Sequence, residues 1–189
     1  MVFIGSGKTT VAKLLAERLR LRFVSSDPID LIRSLRLTHS KWNKFSQEVF
    51  PFLSYAMTSS LFRNFKSFVT DYDVVLNLAY VDDCEVFSKI LSLTARLPRY
   101  DIVVILLVKD PLTVIDRALQ RLRWGNCMLS AAWQRRYYNF TCRVLERFRR
   151  ILWLVVQRGR VVLFIDAERC LEDVINDVLL NIKTLFLIK

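Results

Sequence analysis

The stretch Met1-Val2-Phe3-Ile4-Gly5-Ser6-Gly7-Lys8-Thr9-Thr10 decides how the rest of the chain is interpreted. Gly5 and Gly7 allow a tight turn whose backbone N–H groups point at one anion, and Lys8 adds a positive charge for phosphate oxygens. Thr9 offers a hydroxyl to Mg²⁺, and the helix predicted to follow directs its positive dipole end at the same point. We therefore predict a phosphate-binding loop that is made of residues Gly5, Ser6, Gly7, Lys8, Thr9 and Thr10.

The beginning of this motif departs from the usual pattern. The full pattern Gly-x-x-x-x-Gly-Lys-Ser/Thr has glycine where this chain has Val2, and the strand that normally leads into the loop would lie before Met1. A β-branched residue lacks the backbone freedom that glycine supplies there. An ordinary glycine-containing turn before a helix therefore stays as the alternative.

Composition predicts one globular domain that spans residues 1–189, because 53% of the residues are hydrophobic. Lys and Arg number 29 against 18 Asp and Glu, and the resulting net charge of +11 suits nucleotides, nucleic acid or an anionic membrane surface. A generic positive field is the alternative. The spacing of the four cysteines and the single histidine matches no zinc motif, and no segment has the pattern of a membrane span or signal peptide. We expect an intracellular, cytoplasmic protein.

Hydrophobic periodicity predicts strands that alternate with helices, which is typical of an α/β domain with a parallel sheet. The predicted strands are 22–26, 73–78, 102–108 and 161–165. The predicted helices are 9–20, 29–35, 45–68 with a kink at Pro51, 85–93, 111–122, 128–156 as one helix or two, and 171–187.

Several short segments occur in an order that resembles one known family. They are Ile4–Thr10, Asp27-Pro28-Ile29, Phe50-Pro51-Phe52-Leu53-Ser54-Tyr55-Ala56, Asp83 with Phe87, the arginines Arg117, Arg121 and Arg123, and Asp166-Ala167-Glu168. Together they resemble the P-loop deoxynucleoside kinases, the group that includes deoxycytidine kinase and the herpesviral thymidine kinases. The resemblance covers nearly the whole chain. It implies the P-loop kinase three-layer fold with a five-stranded parallel sheet, from which the first strand, at the centre, is missing here.

The resemblance also implies an activity and its cofactors. The family transfers the γ-phosphate of ATP to the 5′-hydroxyl of a deoxynucleoside such as thymidine, in nucleotide salvage, and it uses Mg²⁺. By resemblance, Thr9 would hold the metal and Asp166 would lie at the adenine ring. Likeness to the viral branch suggests a virus-encoded protein, and family members are often homodimers.

Further site residues are implied by position in these motifs. Asp27 would be the general base, although aspartate before proline is also a good helix N-cap. Three arginines would clamp the phosphates from a lid, with a solvated basic face as the alternative: Arg117, Arg121 and Arg123. Four residues would lie near the nucleoside, although aromatic residues at helical spacing are more often core: Trp42, Phe52, Asp83 and Phe87.

The chain departs from the family on the substrate side. In the register that fits Asp83 and Phe87, the family's Glu-Arg-Ser becomes Asn77-Leu78-Ala79, and Leu53 replaces the glutamine that pairs with the base. A site that loses such polar groups loses discrimination between substrates. A catalytically degraded kinase-fold protein, acting as a nucleotide-binding or interaction module, is thus the main rival. A basic nucleic-acid-binding protein and a thymidylate kinase are weaker alternatives.

Overall fold

The structure is a computed structural model that describes residues 7–27, 44–108, 110, 112–114, 116–117 and 131–187. The predictions made for Gly5, Ser6, Trp42, Arg121 and Arg123, and the short helix predicted at 29–35, lie outside these residues.

Helices and strands alternate along the chain, which confirms the predicted α/β class. In chain order the elements are α1 (Lys8–Leu19), β1 (Arg22–Phe23), α2 (Lys44–Asn64), β2 (Phe68–Val69), a 3-10 helix (Val74–Tyr80), α3 (Cys84–Thr94), β3 (Tyr100–Leu107), α4 (Ala131–Gln157), β4 (Gly159–Asp166) and α5 (Leu171–Leu187). Residues 112–114 and 116–117 are also helical. No helix in these described parts is long and apolar enough to cross a membrane.

The described strands pair two by two, and both pairs are parallel. In one pair β1 lies beside β2, with Arg22 opposite Phe68. In the other β3 lies beside β4, in a register that runs from Tyr100 opposite Gly159 to Leu107 opposite Asp166. Parallel neighbours bring the carboxyl ends of both strands to the same edge, where such folds bind their ligands.

The β3–β4 pair is the middle of three layers. Successive side chains of a strand point to opposite faces, so Ile105 and Leu106 enter different cores. Leu106 packs with apolar residues of α1 and α5. Ile105 packs with the 3-10 helix and α4 on the other face. This layering of helices on both faces of a parallel pair is the predicted P-loop kinase-like architecture.

The strand predicted at 73–78 is wrong, because these residues form most of the 3-10 helix and the strand that pairs with β1 comes earlier, at Phe68–Val69. Asp73 caps the helix, since its side chain accepts a hydrogen bond of 2.9 Å from the Val75 N–H. Side-chain capping of this kind competes with a strand ladder. A mostly apolar segment such as Val74–Tyr80, interrupted by Asn77, fits a buried helix as well as a buried strand, so periodicity alone does not separate the two.

A buried ion pair fixes this 3-10 helix to the distant end of α4. Arg158 is only 6% exposed, and its Nε lies 3.2 Å from the Asp73 carboxylate. The guanidinium also lies 5.3 Å from the ring centroid of Tyr100 and donates to the Leu97 carbonyl at 3.4 Å. Removing one partner of such a pair would leave the other charged and buried, which is costly. The position of the 3-10 helix therefore depends on Arg158, which lies 85 positions from Asp73 in the sequence.

Two helices settle points that the sequence left open. Residues 131–157 form one continuous helix rather than two. The helix predicted at 45–68 ends at Asn64, and Pro51 lies inside it. It ends early because Phe68 joins β2, where an aromatic cluster with Phe62, Phe65 and Tyr100 ties that strand to the start of β3.

Candidate functional site

Gly7 is the described residue that leads directly into α1. Gly7 is in the left-handed region, with φ 82° and ψ 4°, a conformation that glycine adopts without steric cost. Its carbonyl accepts the first helical hydrogen bond, from the Val11 N–H at 2.9 Å. The first turn contains no acidic residue, so the positive end of the helix dipole is not neutralised by its own side chains.

Asp71 lies directly beside Thr9. The Thr9 hydroxyl donates to one carboxylate oxygen of Asp71 at 2.6 Å, and the Ser25 hydroxyl donates to the other at 3.0 Å. Asp71 is 7% exposed. A nearly buried carboxylate is thus held by two hydroxyls at the beginning of α1, where a phosphate-bound metal ion would approach.

Lys8 points toward Asp27 across the same end of the molecule. Its Nζ lies 3.8 Å from an Asp27 carboxylate oxygen and 5.5 Å from the ring centroid of Tyr72. Burial, and then the negative potential of Tyr80 and neighbouring aspartates, raises the pKa of Tyr72 well above its usual value. Tyr72 therefore stays neutral, and its hydroxyl donates to the Asn77 side-chain oxygen at 2.8 Å.

Ser26 joins the carboxyl ends of β1 and β2. It is fully buried, and its hydroxyl lies 2.8 Å from that of Thr70 and 2.6 Å from the Tyr72 carbonyl. This cross-link holds the segment with Ser25 and Asp27 against the segment with Asp71. The two carboxylates at this edge are consequently presented by a rigid pair of strand ends.

A second group of contacts lies at the carboxyl ends of β3 and β4. The Ala167 N–H donates to the Leu107 carbonyl at 2.8 Å, and the Asp110 N–H donates to Glu168 at 2.9 Å. Arg117 donates from its guanidinium to the Ala167 carbonyl at 3.2 Å. The structure thereby brings Arg117 to the residue that follows Asp166, the last residue of β4. Arg117 and Asp166 are both predicted for the ATP end of the site.

The remaining described residues of the prediction have mainly structural contacts. Asp83 caps α3 by accepting from the N–H groups of Glu85 and Val86 at 2.8 and 3.0 Å. Phe87 packs against the apolar core, whereas Phe52 is 38% exposed on α2 and Thr10 is exposed on α1. None of these contacts by itself identifies a nucleoside site.

Sequence reasoning missed Asp71, because it aligned the family's glutamate with Asn77. In the structure Asn77 is buried within the 3-10 helix, and Asp71 is the carboxylate that meets Thr9. One signal was available: Asp71 and Ser25 each follow a short apolar stretch closely, and the carboxyl ends of neighbouring parallel strands meet at one edge.

The donor set at this edge fits a magnesium ion. Mg²⁺ bound with a nucleotide takes one or two protein oxygens and completes its shell with phosphate oxygens and water. The Thr9 hydroxyl and the Asp71 carboxylate, 2.6 Å apart, are two such oxygens. Across the described ranges no group of three or more His, Cys, Asp and Glu side chains is placed to hold a metal ion, so a metal here would depend on the nucleotide for its remaining ligands.

Comparison with known proteins bears on the fold. No family model matches the chain, and no curated protein matches it. Among solved structures it is similar to a deoxyadenosine kinase from M. mycoides with the products dCMP and a flexible dCDP bound, at a TM-score of 0.69 and 14% sequence identity. The match covers 97% of this chain and 96% of that one. The chain therefore has a deoxynucleoside kinase-like fold.

Proposed function

We propose that residues 1–189 form a single phosphotransferase domain that moves the γ-phosphate of ATP to the 5′-hydroxyl of a deoxynucleoside, with thymidine as the first candidate. One observation carries the proposal: the Thr9 hydroxyl meets the buried Asp71 carboxylate at 2.6 Å, at the beginning of a helix that Lys8 opens and Gly7 precedes. The shared fold with a deoxyadenosine kinase supports it.

The phosphates of ATP would occupy the amino end of α1. Backbone N–H groups of the first turn and the Lys8 ammonium would bind their oxygens. Thr9 and Asp71 would hold Mg²⁺, which in such sites neutralises charge on the transferring phosphate. Because Ser25 holds the second oxygen of Asp71, the carboxylate is oriented before any ligand arrives.

Asp27 is the proposed acceptor of the proton from the 5′-hydroxyl. It lies at the carboxyl end of β1, where Lys8 approaches it to 3.8 Å. A phosphate that draws Lys8 toward itself would weaken this ion pair. General-base catalysis of this kind contributes about 10²- to 10⁴-fold to rate.

The opposite end of ATP would lie at the carboxyl ends of β3 and β4. There Asp166 and the loop that follows it would hold adenine, and Arg117 would act with Arg121 and Arg123 on the phosphates. The Arg117 bond to the Ala167 carbonyl supports a connection between that loop and the arginine segment. Trp42, Phe52, Asp83 and Phe87 remain predictions for the nucleoside side.

A second candidate is a module that binds nucleotide without transferring phosphate. Leu78 and Ala79 favour it, because both are buried in the 3-10 helix and supply no charge to the reacting phosphates. The first-turn features of α1 are common to both candidates, so ATP binding alone does not separate them.

The deciding experiment is Mg²⁺-dependent transfer of labelled γ-phosphate from ATP to each of the four deoxynucleosides. Lys8→Ala should abolish transfer and weaken ATP binding, because it removes the charge that binds the phosphates. Lys13→Ala is the matched control, since Lys13 lies on the same helix with its ammonium 5.6 Å from the Phe23 ring centroid.

Transfer by the wild type and by Lys13→Ala, but not by Lys8→Ala, would support the kinase. Binding of ATP without transfer to any nucleoside would favour the binding module. Equal ATP affinity in all three proteins would reject the loop assignment and both candidates with it.

A further inference from the structure

Helix α4 has an outer face that the proposed kinase site does not use. Its inner face is buried in the core through residues such as Val144, Phe148 and Ile151. Its outer face presents four exposed arginines and a tryptophan, here called the α4 arginine face: Arg135, Arg143, Arg149, Arg150 and Trp153.

The charge of this helix is one-sided. Its 27 residues contain six arginines and a single acidic residue, Glu146, and no lysine. Glu146 pairs with Arg150 at 2.6 Å, and Arg147 pairs with Asp82. A helix surface that serves solvation alone usually balances its charges through pairs three or four residues apart. Here the surplus positive charges repel one another, and a polyanion would relieve that repulsion.

The residue types favour phosphate chains that carry bases. Arginine binds phosphate through a planar, bidentate fork that lysine lacks. Trp153 is 55% exposed and follows Arg149 and Arg150 by four and three residues, so its indole lies one turn from both on the same side of the helix. An exposed aromatic ring beside cations is the usual means by which proteins stack nucleic-acid bases without reading their sequence.

The length of the α4 arginine face suits a short single strand of nucleic acid. Arg135 and Trp153 are separated by roughly 27 Å along the helix at 1.5 Å per residue, a length that spans several nucleotides. Two copies of this chain are poor partners for each other through this face, because each would bring its own arginines against those of the other.

We propose that the α4 arginine face binds single-stranded nucleic acid, with phosphates on the arginines and a base stacked on Trp153. The outer surface of α4 and the net charge of +11 support this binding whether or not the protein is a kinase.

The test is fluorescence anisotropy of labelled single-stranded DNA and RNA oligonucleotides against salt concentration. In the triple variant Arg143→Glu, Arg149→Glu, Arg150→Glu the affinity for the oligonucleotide should fall at least about tenfold. The slope of log affinity against log salt concentration should become shallower by about 0.7 for each phosphate contact removed. The matched control is Arg63→Glu, Arg96→Glu, Arg99→Glu, which makes the same charge change at arginines exposed elsewhere. Circular dichroism checks that both variants are folded.

Trp153→Ala separates stacking from charge. It should weaken oligonucleotide binding about tenfold and leave binding of inorganic polyphosphate, which has no bases, unchanged. Equal losses in the two triple variants would overturn the proposal, because net charge alone would then explain binding. Binding to phosphatidylserine vesicles but not to oligonucleotides, or an unchanged oligonucleotide affinity in Trp153→Ala, would overturn it as well.

Discussion

Asp71 owes its place in the candidate site to tertiary structure rather than to a local motif. Gly7, Lys8 and Thr9 are adjacent in sequence, and their spacing was enough to predict a phosphate-binding turn. Asp71 lies 62 residues from Thr9, and the short apolar stretch before it becomes informative only once β2 has been placed beside β1. Adjacent residues therefore give a strong signal for the turn at Gly7, whereas the signal for the neighbouring carboxylate is weak.

Asp71→Asn tests the metal assignment. The amide keeps the size of the side chain but loses its charge, so we expect the affinity for Mg²⁺ in the ATP complex to fall about 10- to 100-fold. Magnesium titration of ATP binding measures this. Asp101→Asn, which changes an exposed carboxylate on β3, is the control. The same magnesium midpoint in both variants would rule out Asp71 as a metal-site residue.

Asp27→Asn tests the proposed base. We expect the transfer rate to fall at least about a hundredfold, because an amide does not accept the hydroxyl proton. ATP affinity should stay equal or rise, since Lys8 would no longer be shared with a carboxylate. Single-turnover transfer and equilibrium ATP binding are measured on the same preparation. Unchanged turnover would leave Asp27 with a structural role only.

At the level of elements, prediction succeeded where local pattern and tertiary contact agree. Residues 171–187 were predicted as a helix and form α5, because their apolar positions follow the helical period. The strand predicted at 73–78 failed because residues 74–78, apolar except for Asn77, fit a buried helix as well as a buried strand. Its conformation is decided by the Asp73 cap and by Arg158, a partner far along the chain.

The junction between α4 and β4 offers a test of packing. A Cβ atom on Gly159 would lie 2.8 Å from the Val161 carbonyl oxygen and 2.9 Å from Val103 Cγ2. We expect Gly159→Ala to lower the free energy of unfolding by about 1–3 kcal/mol, as measured by urea titration. Adding Val103→Ala removes the clash with Val103 Cγ2. The free energy of unfolding of the double variant should therefore fall by less than the sum of the falls in the two single variants. Strict additivity would contradict this explanation.

For the molecule as a whole, buried tyrosines predict sensitivity to alkali. Burial is the main cause that raises the pKa of both Tyr72 and Tyr100, and Asp73 adds to it at Tyr100 while Arg158 opposes it. Below about pH 10 both states hold these protons, and no stability is lost. Above it the unfolded chain ionises first, so the free energy of unfolding falls by about 1.4 kcal/mol per pH unit for each tyrosine until the native group titrates.

Tyr100→Phe should halve the fall in the free energy of unfolding above about pH 10, because one of the two buried tyrosines is removed. Phenylalanine keeps a ring beneath the Arg158 guanidinium but has no proton to lose. Urea unfolding at pH 8 should give similar stabilities for the wild type and the variant, whereas at pH 11 the variant should be the more stable. If the free energies of unfolding of the wild type and the variant differ by the same amount at pH 8 and at pH 11, Tyr100 does not contribute to the loss of stability in alkali.

The packing of α1 against α5 has a consequence for how the protein is made. The apolar side of α1, with Val11 and Leu15, is covered by Val174, Val178 and Ile182 of α5. Ribosomes add about 5–20 residues each second, so α1 waits on the order of ten to thirty seconds for the helix that covers it. During that time its apolar side is open to chaperones and to neighbouring nascent chains. The turn at Gly7 therefore gains its full support only after α5, far along the chain, has been synthesised.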